Sequence, residues 1–434
     1  MTLKKNSMKK YFITLLILCF AYSALHAQES AEEKAIRMQW FKEAKLGIFI
    51  HWGIYAVNGI DESWSFFNGY ISHDDYMKQM DGFKAKKYDA EAWAKLIKES
   101  GAQYAVLTSK HHDGVALWPT KCNDLHFKKD FVGPFVEAIR DQDLKAGLYF
   151  SLLDWSHPDY PNLTRKDKRY EEDSLRWDKF KEFNFCQIDE IIDRYNPDLW
   201  WFDGDWEQSA EQWGANQIRE NILSANPGAI INSRLQGYGD YATPEQGLPI
   251  KKPVAEYWEL CMTMNDSWGY QHNDKNYKSS NQIIRIFVDC ISMGGNLLLD
   301  IGPKADGTIP DEQVEILSKL GRWTNKHAEA IYGTRAGIPT NYFYGPTALS
   351  ADKQTLYLFV DGKPNGPLMV KGLKNKVNRI WVVGNGTKLA YDIKMKQYWS
   401  DKPGILYIDL PDEVLDSQVT VISILLDGEI ELSE

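Results

Sequence analysis

The stretch Leu199-Trp200-Trp201-Phe202-Asp203-Gly204-Asp205-Trp206 decides the fold. A short continuous apolar run ends on a carboxylate and a glycine, and it follows a helical pattern carried by Phe180, Ile188, Ile191, Ile192 and Tyr195. Apolar residues without alternation fit a strand covered on both faces, and a helix before such a strand fits a parallel sheet. The same unit recurs on either side. Runs end at Phe49–Ile50, Val106–Leu107, Leu148–Phe150, Ile230–Ile231 and Leu297–Leu299. Between them Asp89 is placed to cap a helix with Trp93, Leu96 and Ile97 on one face and Gly101 at its end; Phe135 and Ile139 begin another, and Val314, Leu317 and Leu320 follow Pro310. Seven or so such units predict an α/β fold, an irregular (β/α)8-type barrel of the TIM class. After about residue 337 helices give way to short strands at Thr355–Val360, Pro367–Val370, Arg379–Val383, Ile405–Leu410 and Val419–Leu425, split by turn residues such as Asp361-Gly362 and Gly384-Asn385-Gly386. This predicts a separate C-terminal all-β sandwich. The expected domains are thus 28–336 for the barrel and 337–434 for the sandwich.

Residues 1–27 read as a secretory signal peptide: Lys4, Lys5, Lys9 and Lys10 precede an apolar run from Tyr11 to about Leu25, and Ala27 offers a small residue at the cleavage point. Removing them takes away four lysines and no acid, so the formal charge moves from −10 to −14. An acidic exported chain, periplasmic or secreted, argues against nucleic acid or a membrane surface as partner. Cys122, Cys186, Cys261 and Cys290 show no regular spacing, which supports neither a disulfide framework nor a zinc site. With 16 Trp and 23 Tyr, aromatics reach 13%, enough to serve both a core and a site that stacks on flat apolar faces such as sugar rings.

In a barrel the reactive side chains project from the C-terminal strand ends. Those ends carry, in order, His51-Trp52-Gly53, Lys110-His111-His112-Asp113-Gly114, Asp154-Trp155, Asp203-Gly204-Asp205-Trp206 and Asn232-Ser233-Arg234. Asp203, walled by Trp201, suits a nucleophile for an anomeric carbon, whereas Asp205 fits better as a cap of the following turn. A glycosidase also requires an acid, and Glu245, Glu256 and Glu259 are all candidates. His51, His111 and His112 admit two readings, metal ligation or hydrogen bonding to hydroxyls; the spacing lacks the His-x-His pair of metal-dependent barrel hydrolases and favours the second. Arg234 supplies a rigid donor fork, for a hydroxyl or for the nucleophile.

Leu46-Gly47-Ile48-Phe49-Ile50-His51-Trp52-Gly53, Lys110-His111-His112-Asp113-Gly114, Trp201-Phe202-Asp203, Thr243-Pro244-Glu245, Trp258-Glu259 with Ser267-Trp268-Gly269-Tyr270, and Gly294-Gly295-Asn296 through Asp300-Ile301-Gly302-Pro303 together resemble the α-L-fucosidases of glycoside hydrolase family 29, from about residue 35 to the early 300s. The resemblance implies a retaining exo-hydrolase that removes terminal fucose from a fucosylated glycan, and with no His-x-His pair or Cys cluster no metal or cofactor is expected. It implies Asp203 as nucleophile and His51, His111, His112, Trp201 and Arg234 as fucose contacts. Arg234 sits in Asn232-Ser233-Arg234 where many members have Asn-Asp-Arg. It places the acid/base at Glu245, with Glu259 as the alternative, and further subsite residues at Glu62 and Trp64. Two rival functions are a fucose-binding protein without catalysis and a metal-dependent barrel hydrolase.

Overall fold

The computed structural model describes residues 29–433, so the expected signal peptide lies outside the described residues. Residues 29–39 belong to a small unit of their own. Its helix Ala31–Arg37 starts at a capping box, with Ser30 and Glu33 each accepting from the other's backbone N–H.

From Trp40 onward the chain builds a seven-stranded, wholly parallel sheet from β1 (Leu46–Ile50), β2 (Tyr104–Lys110), β3 (Lys145–Ser151), β4 (Leu199–Asp203), β5 (Ile230–Ile231), β6 (Glu259–Thr263) and β7 (Asn296–Ile301). Their spatial order is β5-β4-β3-β2-β1-β7-β6. All residues of β1, β2, β4, β6 and β7 are buried, as the unbroken apolar runs require. Gly47 in β1 is fixed by close approach: a Cβ there would stand 2.3 Å from the Tyr104 ring of β2.

No ladder joins β5 to β6. The gap is spanned by residues 240–245, which make isolated parallel bridges Asn232↔Tyr241, Ala242↔Trp258 and Glu245↔Cys261. Asp240 N–H donates to the Ile231 carbonyl at 2.7 Å and Cys261 N–H to the Pro244 carbonyl at 3.0 Å. This irregular segment serves as the eighth stave and closes the barrel.

The helices α1 (Ala90–Glu99), α2 (Val132–Asp141), α3 (Ser174–Tyr195), α4 (Ala215–Ala225), α5 (Ser280–Ser292) and α6 (Asp311–Lys326) flank the strands. Asp89 caps α1 by accepting the Ala92 N–H at 3.0 Å, and Gly101 behind it has φ +91°. Contrary to the expectation from cysteine spacing, Cys122 and Cys186 form a disulfide that ties the loop after β2 to α3. The two are 64 residues apart, so only the packing of α3 brings them together. Among the described residues no helix is long and apolar enough to cross a membrane.

The C-terminal part holds a five-stranded antiparallel sheet of β8 (Arg335–Ala336), β9 (Thr347–Leu349), β10 (Thr355–Asp361), β12 (Val377–Val382) and β15 (Val419–Leu426), and a three-stranded one of β11 (Leu368–Val370), β13 (Tyr391–Lys394) and β14 (Ile405–Ile408). Leu356, Leu358, Ile380, Ile422 and Ile424 from the first meet Val370, Leu406 and Ile408 from the second in one core, the arrangement of a β-sandwich. Helix α6 fastens it to the barrel. Arg322 grips both carboxylate oxygens of Asp416 at 2.9 and 2.8 Å, Lys326 adds a third contact at 2.7 Å, and the Trp323 indole N–H donates to the Val419 carbonyl at 2.8 Å.

Candidate active site

The C-terminal strand ends surround a pocket of about 240 Å³. Asp203, the last residue of β4, is 8% exposed, and each of its oxygens accepts one hydrogen bond. The Arg234 Nη1 donates to Oδ1 at 2.8 Å and the Tyr149 hydroxyl to Oδ2 at 3.0 Å. Gly204 turns the chain away with φ +81°, where a Cβ would come within 2.4 Å of Leu153. Asp205 does not cap its own turn; its Oδ2 accepts the Gln236 N–H at 3.0 Å and so ties the β4 loop to the β5 loop.

Arg234 extends its other terminal nitrogen to Glu245, with Nη2 at 2.5 Å from Oε2. One guanidinium therefore bridges both carboxylates, with its carbon 4.5 Å from the Trp201 ring centroid. Burial opposes the charge of Arg234, but the facing carboxylates, Asp203 foremost, outweigh it and raise its pKa. Trp201 stacks on Tyr149 at 5.7 Å and donates its indole N–H to Glu259 Oε1 at 3.2 Å.

The three imidazoles are each anchored from behind. His51 Nδ1 lies 2.7 Å from Asp300 Oδ1 on β7, His111 Nδ1 2.6 Å from the Ser63 hydroxyl, and His112 Nδ1 2.6 Å from the Ser151 hydroxyl. Burial pushes all three pKa values below the ordinary histidine range, that of His112 to about 3, so the rings are neutral near pH 7. Neutral imidazoles pair with hydroxyls as donor or acceptor without placing a cation beside an oxocarbenium-like centre. Among the described residues no three His, Cys, Asp or Glu side chains are grouped so as to hold a metal ion.

The pocket brings together His51, Glu62, Trp64, His111, Trp201, Asp203, Arg234 and Glu245. His112 stands just behind, its Nε2 3.6 Å from Asp203 Oδ2. Glu259 lies apart from the pocket lining: it is the first residue of β6, wholly buried, with both oxygens taken by the Tyr104 hydroxyl and Trp201, and burial raises its pKa to about 7. Glu256 is exposed and off the pocket. Glu62 is 3% exposed, accepts the Gly269 N–H, and is raised to about 7 by burial.

Sequence reasoning did not select Phe49, Tyr149, Trp206 or Trp268, which complete the lining. Trp206 and Trp268 lie within quoted motifs, so their signal was proximity to the rim. Tyr149 gave none, because a tyrosine inside an apolar strand reads as core. The tryptophans divide between the two expected uses. Trp52, Trp155 and Trp200 are core, while Trp64, Trp201, Trp206 and Trp268 wall the site.

A barrel whose rim sets two carboxylates in a small pocket walled by aromatic rings and neutral imidazoles has the make-up of a glycoside hydrolase. A family model described as alpha-L-fucosidase matches residues 21–329. The alpha-L-fucosidase of Branchiostoma floridae is 32% identical over 360 residues, covering 74% of this chain and 78% of that one; the plasma alpha-L-fucosidase of Rattus norvegicus is 29% identical over 447 residues, covering 92% and 94%. Among solved structures, alpha-L-fucosidase isoenzyme 1 from Paenibacillus thiaminolyticus superposes with a TM-score of 0.83 at 32% identity, over 91% of this chain and 100% of that one. A GH29 alpha-L-fucosidase from Bacteroides thetaiotaomicron, trapped as a covalent intermediate with a 2-fluoro-fucosyl fluoride, gives 0.80 at 28%, over 91% and 96%. The chain belongs to the α-L-fucosidases of glycoside hydrolase family 29 and is a retaining glycosidase acting on fucosides.

Proposed function

We propose that this protein is an exported exo-α-L-fucosidase in which Asp203 is the nucleophile and Glu245 the acid/base. The observation that carries the reading is the Arg234 fork, bonded at once to Asp203 and Glu245. A shared guanidinium favours the short carboxyl separation of retaining enzymes, about 5–5.5 Å, over the ~6.5–9.5 Å that an inverting enzyme leaves for water.

In the first step an oxygen of Asp203 bonds to the anomeric carbon while the glycosidic C–O bond breaks; its electron pair stays on the leaving oxygen, which takes a proton from Glu245. In the second, a water oxygen gives its proton to Glu245 and attacks the same carbon, and the ester electron pair returns to Asp203. Tyr149 and Arg234 hold one Asp203 oxygen each, which orients the carboxylate for attack. His51, His111, Glu62 and Trp64 read the sugar, and a pocket of this size favours one terminal ring over an internal one.

The Cys122–Cys186 disulfide supports a periplasmic or secreted location, since cytosolic reductants keep thiols reduced. The proposed division is a barrel over 28–336 and a sandwich over 337–434, with the last two residues of the first segment, β8, joining the sandwich sheet.

The test is azide rescue. Asp203→Ala should lose hydrolysis of every fucoside, and azide should enter the vacated face to give β-fucosyl azide. Glu245→Ala should keep activity on a dinitrophenyl fucoside, lose it on sugar leaving groups, and yield α-fucosyl azide. Retained α-azide from Glu259→Ala but not from Glu245→Ala would overturn the acid/base assignment.

A further inference from the structure

A second cavity, of about 420 Å³, lies between helix α5 and the C-terminal sheets and shares no residue with the catalytic pocket. Its volume falls within the roughly 300–1,000 Å³ range of small-molecule sites. Part of the lining is apolar: Phe343 and Phe359 are buried, Pro346 and Pro367 join them, and Tyr344 is 74% exposed. The Lys371 ammonium, 5.1 Å from the Tyr344 centroid, helps hold that ring in place. The lining also holds polar groups, Arg285 and Asp289 from α5 and Asp361 and Asn365 from the sandwich. Arg285 Nε already pairs with Asp361 Oδ2 at 3.2 Å.

The charges select the ligand. The lining carries one cation against two carboxylates, and with the Lys371 ammonium beside the Tyr344 ring the charges balance, so the cavity offers no excess positive charge to draw a phosphate or sulfate. Carboxylate and amide groups at the mouth accept from and donate to vicinal hydroxyls, while an aromatic and proline wall takes the C–H face of a pyranose. We infer that this cavity is a second carbohydrate site, which binds a neutral oligosaccharide by stacking on Tyr344 and hydrogen bonding to Asp289 and Asn365. Given the fucosidase activity, its natural occupant is the fucose-free part of the glycan from which fucose is removed. The catalytic pocket grips one sugar, and a remote grip on the neighbouring chain raises the local concentration of cleavable ends.

The test titrates the full chain with N-acetyllactosamine, followed by saturation-transfer NMR, in the presence of saturating L-fucose. Binding should persist with the catalytic pocket filled and should be lost in Tyr344→Ala. That variant should keep its melting temperature and its kcat/KM on an aryl α-L-fucoside, while KM rises severalfold on a glycan-borne fucoside. If Tyr344→Ala lowers the melting temperature, Asn365→Ala at an exposed position provides the same comparison. No binding at tens of millimolar, binding displaced by fucose, binding indifferent to both variants, or tighter binding of a sulfated sugar would each overturn the inference. The aryl fucoside rate reports separately on the catalytic assignment.

Discussion

Glu259→Gln is the substitution that best separates the buried carboxyl from the proposed acid/base. Glu259 is fully enclosed, and burial raises it to about 7 from an ordinary 4.5, while its hydrogen bonds from Tyr104 and Trp201 and the Arg234 charge pull the other way. Between those two pH values the folded protein holds a proton that the unfolded chain has released. Stability therefore falls as pH rises through this window and is flat above it. At ~1.36 kcal/mol per tenfold change the difference amounts to about 3 kcal/mol. Glutamine cannot ionise and copies the protonated form, with its oxygen available to the Trp201 N–H and its amide facing a hydroxyl that also accepts. Urea unfolding of both proteins at pH 5, 6, 7 and 8 should show the variant gaining on the parent by about 3 kcal/mol across the series. Glu62, at about 7, and Asp113, at about 6, lose stability in the same direction but are present in both proteins and cancel in the difference. A difference independent of pH, or one of opposite sign, would refute the reasoning. Glu259→Ala, by contrast, leaves two buried donors without an acceptor, at about 1–3 kcal/mol each, and should raise KM through a displaced Trp201 without sensitivity to the leaving group.

Replacing Cys122 and Cys186 together by serine opens a 64-residue loop and should lower unfolding free energy by about 4 kcal/mol, read as a urea midpoint, with aryl fucoside KM unchanged; a rise in KM would mean that the bridge also shapes the pocket. EDTA should leave hydrolysis of an aryl α-L-fucoside unaltered, and a loss restored by Zn²⁺ or Mn²⁺ would refute the two-carboxylate mechanism.

What could be read from the sequence follows from how local each cause is. β1 to β5 and β7 announce themselves because burial on both faces leaves unbroken apolar runs. β6 was hidden by its first residue: Glu259 looks like a reactive carboxylate by composition, and only the Tyr104 hydroxyl and the Trp201 indole, which are remote in sequence, make its burial tolerable. β13 is exposed along all four residues and so shows no alternation to detect. At the site, the strand ends marked Asp203 and the histidines. Tyr149 reaches Asp203 from 54 residues away, and Cys122 finds Cys186 across 64, pairings that depend on the register of β3 against β4 and on the seat of α3.

The seam between β5 and β6 divides the enzyme's labour. Asp203, His51 and Tyr149 stand on or directly after strands in multi-residue parallel ladders, and His111 follows a ladder whose register shifts between Thr108 and Lys110, so their mutual positions are tied to the sheet. Glu245 sits on the one stave held by separate bridges, and the segment behind it, residues 246–257, leaves and re-enters the rim with Ile250 and Val254 fully exposed. Insertions or exchanges there need not disturb the strands that carry the proposed fucose contacts. On the proposed assignment, leaving-group preference can therefore be altered by loop grafting while the proposed sugar pocket is left in place.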